Sequence, residues 1–339
     1  MSASIKRLGK SGLKVSDVIV GTMQFGVKTW APYCIEDEEQ CFKILKKCYD
    51  NGLRTFDTAD MYSNGISEII VGKFLKKYNI PRERVVILSK CYFPVSREEG
   101  FSLAKSNTPD FMNSKGLSRK HILDAAEASV QRLGTYVDVY QIHRLDTDVT
   151  YEEIMRALND VVEKGWARYL GASSMKAYQF FRLQEVADQK GYHKFVSMQN
   201  LYNLLFREEE REMNAYCKET GVGIIPWSPN ARGLLTRPLT SEKSQAQLKD
   251  PKILQATGIT PLRPSDETIV NRVEELSKKY NVSMMEISVG WLIEKDVIPI
   301  VGVMNEEAVD DLVKLRTLNL SKKDIEYLEE PYEPKFSYP

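Results

Sequence analysis

A unit of apolar strand, polar loop and amphipathic helix recurs eight times along this 339-residue chain, and few folds are open to a chain built that way. The segments that read as strands are Val18 to Met23, Arg54 to Asp57, Val85 to Ser89, Val137 to Ile142, Ala167 to Gly171, Phe195 to Gln199, Gly223 to Trp227 and Val297 to Val301. They are β-branched and apolar on both faces, as a parallel sheet covered by helices requires. Helical periodicity follows each, over about Glu36 to Tyr49, Glu68 to Tyr78, Arg119 to Leu133, Tyr151 to Glu163, Ala177 to Gln189, Glu208 to Thr220, Asp266 to Tyr280 and Glu306 to Leu315, and Glu286 to Glu294 adds a helix to the last pair. The expectation is an α/β fold, a (β/α)8 barrel of the TIM type, which accounts for residues 1–339 as a single domain. Lys6 to Ser16 reads as a small β-hairpin capping the barrel bottom. Long polar stretches follow strand three (Phe93 to Leu117) and strand seven (Arg232 to Pro264), and the tail after Leu320, with Pro331, Pro334 and Pro339, reads as irregular.

Composition narrows the partners. The 47 basic and 47 acidic residues balance to zero, which argues against a polyanion such as nucleic acid recognised by bulk charge. No apolar run reaches the roughly 18 residues of a membrane span, and the N-terminus lacks the apolar core of a signal peptide. The five cysteines, Cys34, Cys41, Cys48, Cys91 and Cys217, show no CxxC spacing, so a reduced, cytoplasmic chain is expected, with Cys41 and Cys48 packed on one helix face. The expected partner is a small molecule, and the expected assembly a monomer or weak homo-oligomer.

Four residues carry chemistry at the ends of strands two, three and four: Asp57, Tyr62, Lys90 and His143. In a parallel barrel such positions converge on the mouth formed by the C-terminal strand ends. An acid, a phenol, an amine and an imidazole gathered there make a proton-donating site. If hydride reaches a carbonyl carbon, charge develops on oxygen and a donor must supply a proton. A phenol with a pKa of about 10 can do so, and a neighbouring lysine cation is expected to lower that pKa. Asp57 would hold Lys90 charged and aimed, and His143 would orient the carbonyl oxygen or relay a proton. Taken singly, each has a plainer explanation: a helix N-cap for Asp57, packing for Tyr62, a solvated strand end for Lys90, a structural imidazole for His143. The pattern rests on all four types falling at consecutive strand ends. His121 and His193 read as surface residues.

The segment Gly52-Leu53-Arg54-Thr55-Phe56-Asp57-Thr58-Ala59-Asp60-Met61-Tyr62 resembles the signature of the aldo-keto reductases. Ser89-Lys90, Gln141-Ile142-His143-Arg144, Gly171-Ala172-Ser173-Ser174, Gln199-Asn200 and Pro226-Trp227-Ser228-Pro229 match its further landmarks, so the resemblance covers nearly the whole chain. Gly26 to Pro32 and Glu329-Glu330-Pro331-Tyr332 are most similar to the fungal aryl-alcohol-dehydrogenase-like branch. The resemblance implies NADP(H)-dependent reduction of aldehydes and ketones without a metal, with Tyr62 as general acid supported by Asp57, Lys90 and His143. It implies a cofactor bed of Gly21, Thr22 and Met23 beside Asp57, with Ser173 and Gln199 near the nicotinamide carboxamide. Ser174 stands where many relatives carry asparagine. Trp227 would stack on the nicotinamide, although a core aromatic ending strand seven is an equally simple reading. Ser228 and the backbone around Gly233 and Leu234 would line the pyrophosphate. No GxGxxG follows a strand, which removes the ordinary dinucleotide fold but not dinucleotide binding across a barrel mouth.

One departure stands out. After strand eight, relatives often read Gly-x-Arg, the arginine meeting the 2′-phosphate, and here Gly302 is followed by Val303 and Met304. The later glutamine and asparagine positions fall on Ala308 and Leu312, with the acids Glu306 and Glu307 nearby. Losing a bidentate phosphate contact weakens discrimination between NADP and NAD, and Arg237 is a candidate replacement. Phe25, Trp30, Tyr33 and Tyr92 suggest an aromatic-walled pocket for aryl or medium-chain carbonyls, with Arg144 beside it. Two other classes stay open: a Schiff-base lyase with Lys90 as nucleophile, and a non-enzymatic, cofactor-sensing subunit.

Overall fold

The computed structural model describes residues 5–96, 98, 101, 106–249 and 262–336. A hairpin, β1 (Ile5–Arg7) against β2 (Lys14–Ser16), precedes eight parallel strands. These are β3 (Ile19–Gly21), β4 (Thr55–Asp57), β5 (Val86–Cys91), β6 (Val137–Ile142), β7 (Ala167–Ser173), β8 (Phe195–Gln199), β9 (Gly223–Ile224) and β10 (Ile300–Gly302), each hydrogen-bonded to the next in sequence, with β10 beside β3. The ring closes between the last two strands, where Ile298 N–H donates to Ile224 O and Ile300 N–H to Pro226 O, both at 2.9 Å. The result is the (β/α)8 barrel expected from the repeat.

Two apolar layers follow from strands that are apolar on both faces. The larger lies between sheet and helices, and holds Cys41 and Cys48 fully buried on one face of α1 (Glu38–Asp50). The smaller fills the barrel floor, where Leu8 and Val15 of the hairpin pack against Ile19, Leu88, Val139, Ile225 and Ile298. The hairpin is thus a plug: its apolar residues close the strand N-terminal ends and leave the opposite mouth for chemistry. Its turn lies so near the loop before β9 that a side chain at Gly9 (φ +58°) would meet Gly221 O at 2.2 Å.

The helices obey local capping rules. Asp37 accepts from the N–H groups of Glu39 and Gln40, so α1 starts at Glu38 rather than Glu36. Ser118, Thr150 and Ser283 cap the helices Arg119–Leu133, Tyr151–Glu163 and Met284–Glu294 in the same way. The expected helix from Glu208 divides into a 3-10 turn, Glu208–Glu210, and a helix, Met213–Thr220. The tail departs from expectation more plainly. It forms a helix, Lys322–Glu329, capped by Ser321, with Leu328 buried in the core. The prolines drew attention to residues beyond this helix and hid its apolar positions. Of the insertion after strand seven, residues 250–261 lie outside the described residues, and Glu242–Leu248 is helical.

Candidate active site

Asp57 and Lys90 come from neighbouring strands, and their side chains meet inside the barrel mouth. Lys90 Nζ donates to Asp57 Oδ1 (2.5 Å), the Thr58 carbonyl (2.8 Å) and the Tyr62 hydroxyl oxygen (3.3 Å). Its three donors therefore have three acceptors in a fully buried setting. Burial works against the ammonium charge, but Asp57 and then Tyr62 outweigh it, and the lysine pKa is raised. An amine held charged in this way is a poor nucleophile, which weighs against a Schiff base on Lys90.

Tyr62 is fixed by an uncommon turn. Ser63, Asn64 and Gly65 have φ of +48°, +52° and +87°, three left-handed residues in succession before the helix Ile66–Lys77 begins. Such backbone persists only where its surroundings over-determine it. Here Val27 N–H donates to Ser63 Oγ at 3.1 Å, tying the turn to the loop after β3. The phenol was expected to have a lowered pKa. Instead burial pushes it up, Lys90 pulls it down and Asp57 pushes it up again, with a net rise. Burial, which the sequence could not show, keeps the phenol firmly protonated at neutral pH, the state a proton donor requires.

His143 completes the group. Its ring lies edge-on to Tyr62 (centroids 6.0 Å apart) and to Phe93 (5.2 Å), and its Nδ1 is buried with no hydrogen-bond partner among the described residues. Burial, then the charges of Lys90 and Arg144, hold the imidazole well below its usual pKa, so it is neutral. The structure thus brings together all four residues singled out in the sequence. It adds Gln141, which sequence reading passed over: Gln141 Nε2 and Gln199 Nε2 both donate to Asp57 Oδ2, at 3.1 and 3.0 Å. Only the inward alternation along Gln141-Ile142-His143 signals that role. Gly171 leaves the room these amides need, since a Cβ there would lie 2.8 Å from Gln141 Cγ and 2.7 Å from Ser197 Oγ.

The remaining candidates divide. Thr22 is fully buried, donating to Asp57 O (3.0 Å) and sharing a 2.8 Å hydrogen bond with Ser67, beside Gly21 and a half-buried Met23. Ser173 Oγ donates to Gln199 O (2.7 Å), Ser174 N–H to Asn200 Oδ1 (2.8 Å) and Trp227 Nε1 to Ser174 Oγ (3.2 Å). Trp227 is half-buried at the rim, and Ser228, Ala231, Arg232 and Gly233 all take positive φ in the loop that follows, with Leu234 buried behind them. Arg237 Nη2 donates to Gln247 Oε1 (2.7 Å), and the guanidinium lies over Gly233. Gly302 and Met304 are exposed at the end of β10. Trp30 and Tyr92 are half-buried, Trp30 lying 6.2 Å from the Tyr62 ring and Tyr92 5.1 Å from Phe93. The Arg144 guanidinium lies 6.0 Å from the centre of the Trp227 ring.

Two expectations are overturned. Phe25 is fully buried in the outer core, its backbone bridged to Ile35, so it cannot form a pocket wall. His121 is not a surface residue: only 5% exposed, it bonds through Nδ1 to Gly116 O at 2.8 Å. It lies in the first turn of the helix Arg119–Leu133, and the helix period alone did not say which side of that turn faces inward. His193 is exposed, beside Glu163.

Behind the Ser174 turn, Glu209 Oε2 accepts from Asn200 Nδ2 at 2.5 Å. Burial raises its carboxyl to about 7, against the pull of the Asn200 hydrogen bond. The folded chain holds this proton more tightly than the unfolded chain does. The associated stability is therefore fully present below the ordinary carboxyl range and is lost as pH rises through about 7. Glu209→Gln removes the titration. Urea unfolding should show the variant more stable than the wild type at pH 8, by up to about 3 kcal/mol, with the difference closing near pH 4.

With this geometry in hand, likeness to known proteins carries weight. The profile of the Aldo/keto reductase family matches residues 17–333. A Schizosaccharomyces pombe protein that bears the name aryl-alcohol dehydrogenase is 53% identical over 336 residues, 96% of this chain and 95% of its own length. A Saccharomyces cerevisiae protein of the same designation is 49% identical over 333 residues, 97% of each chain. The versiconal hemiacetal acetate reductase of Aspergillus parasiticus is 51% identical over 343 residues, 98% of each.

Proposed function

This chain belongs to the aldo/keto reductase family, and on that premise we propose that it reduces aldehydes and ketones, aryl or medium-chain, to alcohols with NADPH. The observation that carries the reading is the contact between Lys90 Nζ and the Tyr62 oxygen (3.3 Å) at the barrel mouth. The residues present suit a dinucleotide laid across that mouth. The Ser173–Ser174 segment and Gln199 offer polar groups for a carboxamide, with the buried Asn200 behind them, Trp227 offers a half-buried indole face, and the loop from Ser228 to Gly233 presents backbone in the left-handed conformations that aim successive N–H groups at an anion. Bound there, the nicotinamide supplies the hydride.

The chain supplies the rest. The carbonyl oxygen is received between the Tyr62 hydroxyl and the neutral His143 ring. As negative charge grows on that oxygen, the phenol proton moves to it. The phenolate left behind faces Lys90, whose charge Asp57, Gln141 and Gln199 hold in place. Desolvation strengthens that attraction, because the lysine is fully buried. An adjacent ammonium thus matters most after the proton has left, which reconciles a raised resting pKa with a competent acid. The charged state of Lys90 favours this mechanism over the lyase alternative, and the intact acid set favours turnover over a purely sensing role.

Cofactor preference and substrate size have separate tests. Met304 is 45% exposed and stands between Gly302 and the acidic start of the helix Glu306–Lys314. If it marks the 2′-phosphate position, the wild type prefers NADPH to NADH only weakly. Met304→Arg should then raise the NADPH:NADH ratio of kcat/KM roughly tenfold or more through a charge-assisted phosphate contact. An unchanged ratio would remove Met304 from that position. Trp30, beside the Tyr62 ring, is placed to wall the carbonyl pocket. Trp30→Ala should lower kcat/KM for aryl aldehydes relative to short aliphatic ones by about tenfold, with NADPH affinity held within about twofold. Weakened cofactor binding with an unaltered substrate profile would contradict the assignment.

A further inference from the structure

We propose that Glu209 is a positioning residue for the nicotinamide cofactor, holding the Ser174 turn and the Trp227 indole in place through the side chain of Asn200. The inference rests on the function proposed above, because it is the cofactor that these two groups would receive.

The connection is a continuous set of hydrogen bonds. Asn200 Nδ2 donates to Glu209 Oε2 (2.5 Å), and Asn200 Oδ1 accepts from Ser174 N–H (2.8 Å). Asn200 O accepts from Trp227 N–H (2.9 Å), and Trp227 Nε1 donates to Ser174 Oγ (3.2 Å). One asparagine, only 2% exposed, therefore ties down both walls of the cradle, and each of its polar ends is used. Ser174 needs the restraint. Its φ of +50° lies in the left-handed region that residues with a Cβ rarely adopt, and such backbone is kept only by its neighbours.

Glu209 decides which way the amide faces. A primary amide has an acceptor end and a donor end. Ser174 N–H requires the acceptor end, so the donor end needs an acceptor of its own, and among the described residues that acceptor is Glu209. Without it, the amide can turn over and set a donor against a donor at Ser174, releasing the turn. Glu209 lies on the 3-10 turn Glu208–Glu210, and it acts through Asn200.

The carboxyl titrates within reach of working pH, so the clamp has a pH signature. Its acid raised to about 7 by burial, Glu209 passes from neutral to charged acceptor between pH 6 and pH 8. The other titratable groups facing it are few. Burial pushes the neighbouring Glu208 up, but hydrogen bonds from Lys335 N–H, Arg211 and Tyr332 outweigh this and hold it below the ordinary range. Cys217 of the helix Met213–Thr220 is pushed up by burial to about 12 and stays a neutral thiol. Neither titrates in the same window.

The test is NADPH binding followed by tryptophan fluorescence at pH 6 and pH 8, with kcat measured separately at saturating cofactor. Glu209→Met keeps volume, removes the acceptor and relieves a buried charge, so it should fold. It is expected to raise Kd for NADPH about tenfold at pH 8, while kcat falls less than about threefold. Glu209→Gln restores an acceptor and should return Kd to within about twofold of the wild type. The wild type should also tighten by roughly threefold from pH 6 to pH 8 relative to the Gln variant, whose amide does not titrate. Wild-type affinity in the Met variant, a Gln variant as weak as Met, or parallel pH profiles for wild type and Gln would each overturn the inference. A wild type that binds no NADPH at all would overturn the proposed function and this inference together.

Discussion

Tyr62→Phe is expected to lower kcat for carbonyl reduction by about 10²–10⁴-fold, the usual worth of a positioned proton donor, with NADPH Kd unchanged within about twofold. The substitution removes one oxygen from a side chain that is 9% exposed, so packing and fold should survive. That oxygen is the acceptor of one Lys90 hydrogen bond, and the lysine keeps Asp57 and the Thr58 carbonyl. The loss should therefore fall on the chemical step rather than on binding. Steady-state kinetics together with fluorescence titration separates the two. A variant that keeps more than about a tenth of wild-type kcat would mean that the proton comes from elsewhere, with His143 the next donor to examine.

Lys90→Met should affect both stability and rate. Breaking a buried ion pair by removing one partner leaves the other charge uncompensated, at a cost of roughly 3–5 kcal/mol. Here the stranded group is Asp57, 2% exposed, with two glutamine amides still donating to it, which places the expected loss toward the lower end. Urea unfolding measures it. Adding Asp57→Asn should return part of the stability, because the pair is then replaced by neutral groups, and the two changes should be far from additive. The rate should not return, since no cation is left to face the phenolate. A Lys90→Met chain of wild-type stability would show that the ion pair contributes little to the fold. One with normal kcat would show that the phenol needs no such neighbour.

Much of the site was legible because of where a parallel barrel puts its strand ends. Asp57, Lys90 and His143 close successive strands, so the repeat alone brought them to one mouth. Tyr62 was legible only as part of that set: its position depends on three left-handed residues, of which only the Asn64-Gly65 pair is a sequence signal. What the chain did not disclose are facts of burial. Phe25 reads as a loop aromatic yet belongs wholly to the core, because the loop after β3 folds back through the Phe25–Ile35 bridge. The net rise in the Tyr62 pKa reflects desolvation, which no list of neighbouring charges contains. Glu209 lies in a run of three glutamates that reads as the first turn of the helix expected from Glu208, and only the fold shows its middle member receiving a hydrogen bond from Asn200. The tail helix Lys322–Glu329 was missed because eight residues give too few periods to outweigh the prolines after it.

The most direct measurement is deuteride transfer from NADPH carrying two deuterium atoms at nicotinamide C4 to an aryl aldehyde, with the alcohol read by NMR and Lys90 probed by borohydride in a separate sample. The expected result is deuterium on the carbinol carbon, formed at full rate by the wild type and at a rate lower by about 10²-fold or more in Tyr62→Phe, with no substrate carbon attached to Lys90. Alcohol carrying no deuterium, or a borohydride-trapped adduct on Lys90, would contradict a site built to protonate a carbonyl oxygen from a phenol that a buried lysine supports.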